Sequence, residues 1–157
     1  MGFIPKDSRW YLADVVLEHR IDGDLQNVVH VNTHLVEAGS PDEAYSKALA
    51  LGHSGENEYE NTDGQHVRTL FRGLRELSVI HEPLGDGAEL MYTEQVGIPE
   101  ERLRSWGRPR ESLAVFAPIT DKRDAPNYLP HMFKTLVDGE SASSEQAEPG
   151  AAPDGPI

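Results

Sequence analysis

The sequence predicts an α+β domain: an antiparallel β-sheet with one main helix packed on its apolar face and short helices toward the C-terminus. Three observations carry this. Apolar residues alternate along residues 10–20 and 29–35, a capping box opens a helical pattern at Ser40, and Asp/Gly turn signals separate further strand-like runs. In the first run Tyr11, Ala13, Val15 and Leu17 are apolar; in the second, Val29, Val31 and Leu35, with Thr33 between. A period of two marks half-buried strands. The other phase then gathers Asp14, Val16 and Glu18 with His30, Asn32 and His34 on one face. With a turn centred near Gly23 and Asp24, Glu18 is expected opposite His30, and Asp14 opposite His34.

The helix follows. Ser40 and Glu43 have capping-box spacing, Pro41 takes the first helical position, and Ala44, Tyr45, Ala48, Leu49 and Leu51 recur at helical intervals before a C-cap at Gly52. Residues 56–61 and 65–72 flank Asp63-Gly64 as a hairpin whose polar first arm reads as an edge strand or loop. Beyond Gly73, residues 74–81 continue or bend the strand, and residues 88–96 supply another strand candidate. Pro99 opens a short helix through Trp106, acidic in its first turn and basic later. Leu129, Met132, Phe133, Leu136 and Val137 line one face of a short helix opened by Pro130. The resulting division is an N-terminal extension (1–8), an α+β domain (9–116), an extension with a short amphipathic helix (117–138), and a disordered acidic tail (139–157), too polar to offset its ordering entropy.

Composition narrows the function classes. The 157 residues suffice for one domain with a real core. The absence of cysteine excludes disulfides, thiolate nucleophiles and Cys-based metal sites. No stretch is long and apolar enough to span a bilayer, and residues 1–9 lack signal-peptide character, so the expectation is a cytoplasmic protein without membrane association. A net charge of −13 argues against nonspecific nucleic-acid binding and favours a basic protein partner.

Several segments share an order seen elsewhere: Trp10-Tyr11-Leu12-Ala13; Ser40-Pro41-Asp42-Glu43-Ala44 with Lys47-Ala48 and Gly52; Glu58-Tyr59-Glu60-Asn61 with Gly64 and Val67; and Asp86-Gly87-Ala88-Glu89-Leu90. Over residues 9–94 the chain resembles the small bacterial proteins grouped as DUF4288, an uncharacterised domain family. The resemblance implies a small α+β domain and brings no catalytic residues with it. The chain departs from the compact family pattern by extending beyond residue 95.

Three constellations invite a chemical reading. His30 and His34 on one strand face would have Cα atoms roughly 13 Å apart, too far to share one zinc, so no metal site is expected unless His66 or His81 completes one. Glu18 orienting His30, with His34 nearby, would suit a general base in a small enzyme or ligand-binding domain, yet no nucleophile elbow or phosphate-cradling loop accompanies them. Arg102, Arg104, Arg108 and Arg110 surround Trp106 and, with Arg68, Arg72 and Arg75, offer a local positive patch. The reading is a noncatalytic protein-interaction or accessory module, immunity-like in character and without a cofactor. Its candidate binding residues are Asp14, Glu18, His30, Asn32, His34, Arg102, Arg104 and Trp106. Homo-oligomerisation stays open.

Overall fold

The computed structural model describes residues 6–119 and 125–131. A four-stranded antiparallel sheet is built from β1 (Trp10–Ile21), β2 (Val28–Glu37), β3 (Asn57–Glu60) and β4 (His66–Val79), in the order β2-β1-β4-β3. The main helix, α1 (Pro41–Ser54), follows β2 and packs chiefly on β4 and β1. A short helix, α2 (Glu100–Arg104), and a 3-10 turn at Arg110–Ser112 come later. This is the expected α+β arrangement.

The strands form where period two predicts them, with one consequence for which face each residue joins. β1 pairs with β2 as Ala13↔His34, Asp14↔Thr33, Leu17↔His30 and Glu18↔Val29, so an even position on one strand faces an odd one on the other. The expected pairs Glu18–His30 and Asp14–His34 are therefore one residue out of register. The pairing is centred between Gly23, at φ 85°, and Asp24, and an offset of one exchanges the two faces of the partner strand. His30, Asn32 and His34 lie on the same face as Tyr11, Ala13, Val15 and Leu17, under α1. Val29, Val31 and Leu35 lie with Asp14, Val16 and Glu18 on the open face.

The core sits between α1 and the sheet, where Tyr11, Ala13, Val36, Ala38, Ala44 and Ala48 are buried, with Leu74, Leu77 and Val79 packed against them. Two alanines on one stripe let the helix approach closely. Ser40 caps as predicted: its Oγ accepts from the Glu43 N–H at 3.2 Å, while Glu43 Oε2 accepts from the Gly39 N–H at 2.8 Å. The helix ends later than expected, with Gly55 as C-cap. Gly52 is interior and buried, and a Cβ there would overlap the Phe71 ring on β4. Gly52→Ala should therefore lose more by overpacking than it gains in helix propensity, a net cost of about 1 kcal/mol measurable by urea denaturation.

β4 is one continuous strand with two irregularities against β1, between Asp14 and Val15 and between Val16 and Leu17. Arg75 and Arg72 are the extra residues at these bulges, and Gly73 between them has φ 118°. Residues 88–96 form no strand; they run irregularly past the end of β4. Leu129 and Pro130 are extended, not helical, and Pro130 bridges to Asn61. The rest of the helix expected through Val137, and the tail beyond it, lie outside the described residues.

Candidate functional site

The two sheet faces carry different chemistry. On the open face Asp14 and Glu18 are buried carboxylates on the central strand, each held by neighbours that the pairing supplies. Asp14 accepts from Thr33 Oγ1 at 2.6 Å and from Arg75 at 2.9 Å. The Thr33 hydroxyl and then the Arg75 guanidinium hold its pKa below the ordinary value despite burial. Glu18 accepts from Asn27 at 2.6 Å and from Arg20 at 2.8 Å, and the Asn27 hydrogen bond chiefly lowers its pKa, with Arg20 and Arg72 adding to it against burial.

Arg68 pairs directly with Arg20 across the sheet, so Arg20, Arg68, Arg72 and Arg75 gather on one face of an acidic chain. Neither Arg68 nor Arg72 makes an ion pair among the described residues. On the same face, across β1, Val29, Val31 and Leu35 of β2 stand 50%, 36% and 48% exposed. At the turn end of this face, Glu18, Arg20, Asn27 and Arg68 help line an open cleft of about 480 Å³. A smaller cleft of about 200 Å³ lies between the end of β4 and Glu89, Leu90, Met91 and Tyr92.

The α1 side holds an aromatic cluster beyond the end of the helix. His19 Nδ1 lies 2.8 Å from Thr69 Oγ1, and His19 Nε2 lies 3.3 Å from His30 Nδ1. With both rings neutral, a single N–H occupies the contact between them. Tyr128 stacks on His19 at 5.3 Å between ring centroids and meets His30 edge-on at 5.0 Å. Its carbonyl accepts from the hydroxyl of Tyr59. Burial, followed by the neighbouring His30, lowers the pKa of His19, while burial raises that of Tyr59.

Asn61 anchors the segment that carries Tyr128. Its side chain is fully buried; Oδ1 accepts from the Asp63 and Gln65 N–H groups at 3.0 and 2.8 Å, and Nδ2 donates to Gln65 Oε1 and the Asn127 carbonyl at 3.0 and 2.8 Å. Thr62 N donates to the Leu129 carbonyl at 3.1 Å and His131 N to that of Glu60 at 2.9 Å, so residues 127–131 cover the C-terminal end of the β3 edge.

The structure thus separates the residues that the sequence placed together. Glu18 and His30 are on opposite faces, so no carboxylate–imidazole pair forms between them. His34 and Asn32 are half-buried on the α1 side, and Asp14 is engaged with Thr33 and Arg75 instead of His34. Arg104 pairs with Glu100 at 3.2 Å on an exposed turn, and α2 makes no extensive contact with the sheet, so Arg102, Arg104 and Trp106 do not join Arg68, Arg72 and Arg75. Among the described residues no group of three or more His, Asp or Glu side chains could hold a metal ion. No helix among them is long and apolar enough to cross a membrane. His19, Tyr59, Asn61, Thr69 and Tyr128 were not among the expected site residues. The available signal was His19, a polar residue in the otherwise apolar phase of β1.

Comparison with known proteins bears on this arrangement through the sheet and α1. No curated protein and no solved structure matches the chain. Residues 10–92, more than half of the sequence, match the family described as a domain of unknown function, DUF4288. The match takes in β1 to β4, α1 and both halves of the histidine pair, and stops short of α2 and Tyr128. The chain belongs to the DUF4288 family.

Proposed function

We propose that the protein is a noncatalytic protein-interaction module whose working surface is the open sheet face. The observation that carries this is the joint exposure, on one face of the sheet, of Val29, Val31 and Leu35 on β2 and of Arg68 and Arg72 on β4, two guanidinium groups without an ionic partner among the described residues. Exposed apolar side chains and unpaired arginines on one face are the composition of a binding patch, since arginine combines a packing surface with directional hydrogen bonding. The segment that fits the face carries apolar side chains flanked by carboxylates. The acidic balance elsewhere suits a partner that also has basic regions, and a bacterial cytoplasmic immunity or accessory role is the kind of use this supports.

An enzyme organised on Glu18, His30 and His34 draws no comparable support, because those side chains do not converge. Affinity capture from the native host, partner identification and titration with the purified partner test the proposal. The double variant Arg68→Gln/Arg72→Gln, which removes both charges without setting a carboxylate against the buried Glu18, is expected to stay folded and to bind at least about tenfold more weakly, as for charged anchors of an interface. A partner that binds parent and variant equally would remove this face from the function.

A further inference from the structure

The two edges of the sheet are treated differently. At β3 the edge is short, carries Glu58 and Glu60, and is covered at its C-terminal end by residues 127–131. At β2 it is ten residues long and straight, with no irregularity in its pairing to β1. From Val28 to Val36 it contains no proline, glycine, lysine or other charged side chain of the kind that guards an edge.

The ladder fixes which backbone groups point outward. Ala38 N donates to the Arg9 carbonyl at 2.8 Å, extending the pair Trp10↔Glu37 by one residue, so the even-numbered residues of β2 bond to β1. The N–H and C=O groups of Val29, Val31, Thr33 and Leu35 therefore face away from the sheet, and none has a partner among the described residues. The next outward carbonyl, that of Glu37, accepts from Lys47 Nζ at 2.8 Å, which closes the ladder at that end.

The side chains along this edge read the same in both directions about Asn32. Val28 matches Val36, Val29 matches Leu35, His30 matches His34, and Val31 matches Thr33, another β-branched residue. We propose that β2 pairs antiparallel with β2 of a second copy of this chain, with the two-fold axis at Asn32. In that register Val31 bonds to Thr33 of the other copy and Val29 to Leu35, the residues whose groups point outward. Asn32 meets Asn32 across the axis as a pair without backbone hydrogen bonds.

Charge favours this occupant. Two copies of a chain at −13 repel over most of their surface, and the strip from Val28 to Val36 is a long neutral approach between them. The register also sets Glu37 beside Asn27 of the other copy, away from another carboxylate. A two-fold axis normal to the sheet keeps both open faces on one side, giving a continuous eight-stranded sheet that presents the arginine-bearing face twice. Because α1 packs chiefly over β1 and β4, the flank of β2 is left accessible. The inference stands whether or not the open face binds another protein.

Sedimentation velocity from micromolar to near-millimolar concentration is expected to show the mass rising from one chain to two. Val31→Lys introduces an edge-guarding charge at an exposed site and should weaken the dimer by at least about tenfold, with an unchanged melt in dilute solution. Because the chain has no cysteine, Asn32→Cys gives a direct test of register: Cα atoms in such a pair lie about 4.5 Å apart, within disulfide range. Mild oxidation should cross-link Asn32→Cys and leave Ser46→Cys, on the exposed side of α1, largely monomeric. A parent that stays monomeric throughout, a dimer indifferent to Val31→Lys, or equal cross-linking of the two cysteine variants would each overturn the proposal.

Discussion

Asn61→Ala is expected to lower the unfolding free energy by about 3 kcal/mol, more than any exposed substitution in the domain. The residue is fully buried and its amide makes four hydrogen bonds, two to backbone N–H groups of the β3–β4 turn, one to Gln65 and one to the Asn127 carbonyl. Truncation strands these partners away from water and leaves a small void. The loss should be visible both in urea denaturation and as faster hydrogen exchange at Thr62 and His131, whose amides bond across to the docked segment and back from it. A change below about 1 kcal/mol would mean that other contacts hold the turn.

Acidification should destabilise the protein in two steps. His19 has a folded pKa below its ordinary value of 6.5, first because it is buried and second because His30 lies against it. Below about pH 6.5 the unfolded chain takes up a proton that the folded chain resists, so this contribution is full above that pH and is lost as pH falls beneath it. Thr69, His30 and Tyr128 meet the ring, and none brings a carboxylate to compensate a cation. Asp14 and Glu18, lowered from 3.8 and 4.5, act in the same direction further down: their stabilisation is present above the ordinary carboxylate range and is lost as pH falls through it. Urea midpoints should be level above about pH 7, decline toward pH 5, and decline again below about pH 4. His19→Gln should remove the first decline and leave the second. A level curve from pH 7.5 to about pH 5 in the parent would contradict the assignment.

The elements were legible because local rules fix them. Alternation gives β1 and β2, Ser40 with Pro41 and Glu43 gives the start of α1, and Asp63-Gly64 gives the β3–β4 turn. Register was not, because residues 22–27 form a longer connection than a two-residue hairpin, and a half-residue difference in its midpoint decides whether His30 lies beside Glu18 or behind it. The sequence also suggested that each strand has one apolar face, whereas β1, central in the sheet, is apolar on both, with Leu12 and Val16 on one and Tyr11, Ala13 and Val15 on the other. Gly52 read as a cap because helices often end at glycine; its actual role, admitting the Phe71 ring, is a tertiary contact that no local pattern encodes. The His19–Tyr128 stack joins residues far apart in the chain and had only the misplaced polarity of His19 to announce it.

The bulges in β4 separate two things that are locked together elsewhere in the sheet, the length of the chain and the phase of its side chains. Arg72 and Arg75 are surplus to the pairing with β1. Deleting either would subtract one guanidinium and remove one of the two bulges, with every flanking residue still on its own face. The same deletion in β1 or β2 would turn all that follows inside out. Gain or loss of single residues, ordinarily the most damaging change to a strand, is at these two positions a means of adjusting charge in whole units without turning the strand over, at the expense of the cation that Arg75 sets beside Asp14 or Arg72 sets near Glu18.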